Sequence, residues 1–208
     1  MDAIAFTAVT HAEDELFVVT FNEHAALGLP PSLPFTHDTV EIRSALLRTA
    51  PTGMTALYDA LAMSLEHVKT GTRDRKALVV VSDGGDNASR SGLDDVILLA
   101  QRSSATIYTV GIYEDTDLDR NPAALKKIAA TSGGRAYFPQ SLRDLDGVCR
   151  DIAGRIHSQY TIGYYSSNAR HDGTFRRVDI TATRGGGQRL RVTARTGYRA
   201  PLDVAIPR

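Results

Sequence analysis

Asp83 follows directly on the apolar run ALVVVS (77–82) and precedes a pair of glycines, within RKALVVVSDGGDN (75–87). In open α/β sheets ligands gather outside the carboxyl ends of the parallel strands, so a carboxylate at the end of such a run is a candidate ligand by position. Gly84 and Gly85 let the backbone turn sharply and approach an ion or ligand closely. The same aspartate can instead cap the turn by accepting nearby amide hydrogens, and the residues leave both uses open. Thr55, in GMTALYDAL (53–61), has a similar pair of uses. Its hydroxyl can cap the helix that starts there, or reach across the same rim of the sheet toward the turn that holds Asp83. One hydroxyl and one carboxylate facing each other across a crevice make a partial site for a hard cation, because magnesium takes oxygen ligands in octahedral geometry and keeps several waters.

Other patterns point to less chemistry. EDTDLDRN (114–121) places Asp115, Asp117 and Asp119 like the opening of an EF-hand loop, but Arg120 stands where the loop needs glycine and Lys126 where it needs glutamate. It reads as a solvated acidic loop. ATSGGRA (130–136) lacks the P-loop lysine and follows a helix, so it reads as a helix stop. Neither a Gly-x-Ser-x-Gly elbow nor a His-Glu-x-x-His zinc motif occurs, and the six histidines lack metal-ligand spacing, which leaves His67 and His157 on helix surfaces or margins. Tyr160, Tyr164 and Tyr165 are not interleaved with basic residues, so they read as alternating strand packing and not as a base-stacking platform. Cys149 is the sole cysteine and sits in an apolar-periodic stretch, which predicts a buried structural thiol and excludes an intrachain disulfide.

These side chains need a scaffold, and the 208 residues at 42% hydrophobic composition can bury a sizeable core. Lys plus Arg equals Asp plus Glu, giving a formal net charge of zero. No global field therefore draws nucleic acid or an anionic membrane. No apolar run approaches the ~20 residues of a membrane span, and MDAIAFTAVTHAEDE has no basic region followed by an apolar one.

The scaffold reads as alternating strands and helices. ELFVVTF (15–21) is a strand, and SLPFTHDTVEIRSALLRTA (32–50) a helix with Asp38 as N-cap and apolar Val40, Ile42, Leu46 and Leu47. The spacing of Leu57, Ala60, Leu61, Ser64, Leu65 and Val68 predicts one face of a helix within 53–71. KALVVVS (76–82) is a near-continuous β-branched run, the pattern of a parallel strand covered on both faces. GLDDVILLAQRSS (92–104), NPAALKKIAATSGG (121–134) and SLRDLDGVCRDIAGRIHSQ (141–159, with apolar Leu142, Leu145, Val148, Ile152 and Ile156) read as helices. ATIYTVGIY (105–113) and RAYF (135–138) read as strands. This alternation predicts an α/β fold with a doubly wound, mostly parallel sheet over residues 1–158. From 159 to 208, YTIGYYS, FRRVDITATR and QRLRVTART, separated by NARHDG and GGG, predict a small C-terminal antiparallel β-hairpin extension.

GMTALYDAL, RKALVVVSDGGDN, IYTVGIY, LKKIAATSGGRAYF and QYTIGYYSSNARHDGTFRRVDI, in that order over nearly the whole chain, resemble the von Willebrand factor type A (VWA) fold. Within it they resemble the bacterial VWA-related group abundant in acidobacteria. The resemblance implies a metal-ion-dependent adhesion site, usually holding magnesium. Thr55 matches its threonine and Asp83 its last aspartate, while the Asp-x-Ser-x-Ser motif that supplies the other ligands is not found. MDAIAFTAVTHAED resembles only the end of the family's first helix, so the chain is expected to lack the first strand, as a fragment or through a misplaced start. A strand with Asp-x-Ser-x-Ser encoded in frame upstream of Met1 would support this, and a stop codon immediately upstream would refute the misplaced start.

The resemblance implies a non-enzymatic, adhesion-type protein-interaction module with a partial cation site at Thr55 and Asp83, where magnesium binding is weak or lost. An acidic side chain of a protein partner would complete the cation's coordination. The alternatives are a truncated VWA-like protein that binds no metal, or a hydrolase or nucleotide-binding α/β enzyme, which would need a nucleophile–base pair or phosphate loop. Members of this family are often exported, and no signal peptide is seen in these residues.

Overall fold

The structure is a computed structural model that describes residues 10–48, 53–113 and 119–202. Asp115 and Asp117 of the acidic loop, residues 1–9 and the side chain of Leu142 lie outside the described residues.

A three-stranded parallel sheet carries the fold, with β3 (Ala77–Ser82), β4 (Thr106–Gly111) and β5 (Ala136–Tyr137) in the order β3-β4-β5. Alternate side chains of these strands serve opposite faces, as strand geometry requires. Leu78, Val80 and Ile107 join one apolar cluster with helices α2 (Leu57–His67), α3 (Leu93–Arg102) and α4 (Pro122–Ser132). Tyr108 and Val110 join another with α5 (Leu145–His157), against which Ala77, Val79 and Val81 also pack. Helices on both faces make the sheet doubly wound, as the strand–helix alternation predicts.

The helix ends follow their local chemistry. Asp38 caps α1 (Thr39–Leu47) by accepting the Val40 N–H at 2.7 Å. Asn121 caps α4 through Ala124, Pro122 occupies its first turn, and Gly133 closes it in the left-handed conformation with φ +81°. In α1, Ile42 is buried but Val40 and Leu47 are about two-thirds exposed, so the apolar face is narrower than its sequence suggests. Cys149 is buried in α5.

Two sequence expectations need correction. ELFVVTF forms a regular strand only at β1 (Val19–Phe21), which pairs antiparallel with an unforeseen β2 (Ala25–Leu27), while Leu16 makes an isolated bridge to Thr36. In the C-terminal part, YTIGYYS forms no strand, and Tyr165 is fully exposed at 103%. Period-two alternation there meets no partner that would cover a face. The GGG hairpin is present, joining β7 (Ala182–Arg184) to β8 (Gln188–Leu190), with Gly186 and Gly187 at positive φ. β6 (Phe175–Arg177) instead pairs across the chain with β9 (Gly197–Arg199). Arg195 and Arg199 anchor this region to the end of α3, through the Ser103 carbonyl and through Gln101 Oε1 at 3.0 Å.

The β1–β2 ribbon and the parallel sheet are separate sheets, and a cavity of about 1110 Å³ lies between β1 and β3. Burial records the gap. All of β4 after its first residue is buried, whereas Val79 and Val81 of the equally long β3 are only partly so. The strand covered on both faces is thus an edge strand of its described sheet.

Near the other edge, the Tyr137 hydroxyl donates to Asp151 Oδ2 at 2.6 Å, and Arg155 Nε donates to the same oxygen at 2.8 Å. Burial, then the hydrogen bond to Asp151, pushes the Tyr137 phenol up to about 12. The Arg155 and Tyr137 hydrogen bonds hold Asp151 below the usual carboxylate range. A raised phenol pKa keeps the folded protein protonated where the unfolded chain ionises. Tyr137 therefore contributes stability that is complete below about pH 10 and is lost as the pH rises to about 12. Denaturant unfolding across that window should fall more steeply for the native protein than for Tyr137→Phe. Equal slopes would remove Tyr137 from this account.

Candidate functional site

Asp83 leaves the carboxyl end of β3 and Thr55 stands just before α2, so both lie at one rim of the sheet. The turn reading of Asp83 is realised, because its Oδ1 accepts the Gly85 N–H at 3.0 Å and the Ser82 hydroxyl at 3.3 Å. Ser82 Oγ in turn accepts the Gly84 N–H at 3.1 Å. Gly84 has φ +86°, and the Asp83 carbonyl accepts the Asn121 N–H at 3.1 Å, which ties the turn to the start of α4.

Thr55 does not cap α2. The N-cap is Ala56, which has no side-chain acceptor, so the orphan amides of the first turn are met from another loop. Asp86 Oδ2 accepts the Tyr58 N–H at 2.8 Å and Ser89 Oγ accepts the Asp59 N–H at 3.0 Å. Ser89 Oγ also donates to Asp86 Oδ2 at 2.6 Å, which fixes the pair. Asp59 reaches back, accepting the Arg90 and Ser91 N–H groups at 3.0 Å each. Those amides, Arg90 first, hold the Asp59 carboxyl below its ordinary value, while burial and then the Asp86 charge raise Tyr58.

The two loops are thereby stitched together. Asn87 Oδ1 accepts the Thr55 N–H at 2.7 Å, and the Thr55 carbonyl accepts the Asn87 and Ala88 N–H groups at 3.0 and 3.2 Å. The Asn22 carbonyl at the end of β1 accepts the Ala56 N–H at 2.7 Å, so that strand joins the rim as well. Sequence reasoning missed Asp86, Asn87 and Ser89. Their signal was a run of capping residue types in one loop and a helix whose own N-cap position, Ala56, cannot cap.

Thr55 and Asp83 thus lie at one rim, where Asn87 of the loop that follows Asp83 binds the Thr55 backbone, but no hydrogen bond joins the Thr55 and Asp83 side chains among the described residues. The oxygen donors at this rim include the Thr55 hydroxyl and the Asp83 carboxylate, whose Oδ1 already accepts from Gly85 and Ser82. Asp86 is committed to Tyr58 and Ser89. No group of three or more His, Cys, Asp or Glu side chains among the described residues could hold a metal. The donor set is partial, so any bound cation would depend heavily on water or on a further molecule.

Comparison with known proteins agrees with this architecture. The family model for the von Willebrand factor type A domain matches residues 6–150. A von Willebrand factor type A structure from Catenulispora acidiphila superposes with TM-score 0.64 at 21% identity, covering 74% of this chain and 36% of that one. An aerotolerance-related membrane protein from Bacteroides fragilis gives TM-score 0.58 at 17% identity, covering 75% and 85%. The conserved hypothetical protein BatB from Bacteroides thetaiotaomicron gives TM-score 0.56 at 14% identity, also covering 75% and 85%. These likenesses show the fold. No curated protein is similar enough to match the chain. No helix among the described residues is long and apolar enough to cross a membrane. The matched segment takes in the parallel sheet, helices α1 to α4, the first half of α5 and the rim loops of Thr55 and Asp83, and the chain belongs to the von Willebrand factor type A domain family.

Proposed function

We propose that this chain is a non-enzymatic protein-interaction module whose contact surface is the rim built by residues 53–56 and 83–91. The observation that carries this reading is the cross-bracing of those loops through Asn87, Asp86 and Ser89. Backbone held this way loses little freedom on binding, which lowers the cost of association. Met54 stands half-exposed beside Thr55 and adds apolar area to the same surface.

The finer part of the proposal is a weak magnesium contact. The Thr55 hydroxyl and Asp83 carboxylate are oxygen donors of the kind magnesium takes, and an acidic side chain of a protein partner would complete the coordination along with water. Without the Asp-x-Ser-x-Ser ligands the chain alone holds such an ion weakly or not at all. Titration with magnesium or manganese, followed by thermal melting, tests this. At about tenfold excess over Kd a single site adds ~1.4 kcal/mol, or ~3–6 °C for a domain of this size. Asp83→Ala should abolish the shift. A native protein whose melting point ignores both cations loses the metal from this proposal, and a shift that survives Asp83→Ala places the ion elsewhere.

A further inference from the structure

The zero net charge of the chain hides a segregation. Of its 24 basic and 24 acidic residues, eight arginines but only two aspartates fall within residues 159–202, with no lysine or glutamate among them. Most of this part is a two-stranded ribbon, in which β6 leads on to β7 and β8 returns to β9. Nothing lies within 4 Å of a Cβ added at Gly185, Gly186 or Gly187, so the tip of the ribbon stands clear of the other described residues. Arg195 and Arg199 tie its base to the end of α3 that lies away from the rim loop.

Register sorts the ribbon's side chains by face. Residues paired across an antiparallel ladder share a face, and neighbours along a strand alternate. Thr183 pairs with Arg189, and alternation brings Arg191 to the same face. Ala182 pairs with Leu190, and the same rule places Ile180 and Val192 on this opposite, apolar face. Arg189 and Arg191 are exposed, and neither side chain makes a hydrogen bond or ion pair among the described residues. Arg177, nearer the base, meets Asp179 at 3.3 Å in an exposed pair of little strength. The outer edge of β8 carries no ladder among the described residues.

Spacing identifies what fits these arginines. Two positions apart on an extended chain, Arg189 and Arg191 are separated by ~6.8 Å, the same interval as alternate side chains of any other strand. A strand laid ~4.8 Å beyond β8 therefore brings one carboxylate opposite each guanidinium, which can take it two-pronged. Its intervening residues fall beside Leu190 and Val192, where apolar side chains are favoured. A nucleic acid would answer the arginines with phosphates and leave the apolar face unmet.

We propose that the C-terminal ribbon docks an extended acidic segment of a partner protein along the outer edge of β8, with carboxylates at alternate positions paired to Arg189 and Arg191 and apolar residues between them. The backbone ladder supplies affinity, while the charges fix register and speed encounter. This surface lies at the far end of α3 from the rim and needs no cation, so it stands or falls separately from the contact proposed at Thr55 and Asp83.

The test uses the 208-residue protein in EDTA with a fluorescent peptide of three glutamate–valine repeats. Saturable anisotropy at ~50 mM salt, weakened at least ~10-fold at ~500 mM, is the expected result, because exposed charge pairs are screened. Arg189→Glu combined with Arg191→Glu should weaken binding at least ~10-fold. Arg184→Glu makes the same kind of charge change on the apolar face and should cost less than Arg189→Glu alone. A lysine–valine peptide should bind the doubly reversed variant, which also shows that this variant is folded. Absence of saturable binding overturns the proposal. Equal binding of a peptide with its glutamates in one block, or equal losses from Arg184→Glu and Arg189→Glu, overturns it too, by reducing the contact to net charge. Tighter binding of single-stranded DNA of equal charge assigns the face to nucleic acid, and a salt-sensitive dimer formed without peptide assigns it to a second copy; either result overturns the acidic segment.

Discussion

Leu125→Ala is expected to lower the unfolding free energy by ~2–5 kcal/mol, the range for a fully buried leucine cut to alanine. Leu125 is completely buried in α4, within the cluster that joins α2, α3, α4 and the sheet. It packs under the rim, where its side chain approaches Gly84 and Gly111, and its carbonyl accepts the Thr109 hydroxyl at 3.2 Å. Truncation leaves a hole between α4, the end of β4 and the Asp83 turn that cannot close without moving the sheet. Leu61→Ala removes the same atoms from α2, where Leu61 is also buried but lines the cavity between β1 and β3, so part of the void it would leave is already there. Its expected cost sits at the low end of the range. Urea unfolding of the two variants side by side measures the difference. Equal losses would mean that Leu61 is packed as tightly as Leu125, and the cavity would then be closed beside α2.

That contrast bears on the whole molecule, because the cavity separates a well-made half from an under-supported one. The β4 strand has neighbours on both edges and is buried through its last five residues. β1 and β3 border the cavity, and both leave apolar side chains partly exposed. The rim loops bridge the gap above it through Ala56 and Asn22.

Much of the scaffold was legible because its signals are local. Asp38 caps the helix it precedes, Gly133 ends α4, and ALVVVS becomes β3 with its bounds nearly as read. What escaped depends on distant partners. β9 pairs with β6 across some twenty residues of chain, and neither TGYRA nor FRRV announces the other. YTIGYYS alternates like a strand, yet alternation does not say whether any sheet edge is there to receive it. The site divides the same way. The place of Asp83 at a strand end was legible because strand order and Gly84 sit in one short segment. The capping of α2 by Asp86 and Ser89 was not, since these partners lie about thirty positions from the amides they satisfy. Thr55 looked like the local cap, and the long-range loop took that role.

Gly84→Ala should be among the most damaging small changes available next to the site, at roughly 2–5 kcal/mol, because two penalties coincide there. The backbone at Gly84 has φ +86°, which a residue with a Cβ adopts at ~1–2 kcal/mol. A Cβ at that position would also lie 2.5 Å from the Asn121 carbonyl oxygen and 2.9 Å from Leu125 Cγ. The carbonyl belongs to the helix-capping residue of α4 and cannot swing aside as a side-chain tip could. Relief requires the Asp83 turn to part from α4, which breaks the hydrogen bond from the Asn121 N–H to the Asp83 carbonyl. Gly186→Ala separates the two penalties. Gly186 has φ +90° with nothing within 4 Å of an added Cβ, so only the backbone strain applies there. Denaturant unfolding should show Gly84→Ala costing at least ~1 kcal/mol more than Gly186→Ala, the smallest usual cost of overpacking. If the two variants match, the turn beneath Asp83 is loose enough to yield, and the rigid rim on which the interaction surface depends is lost with it.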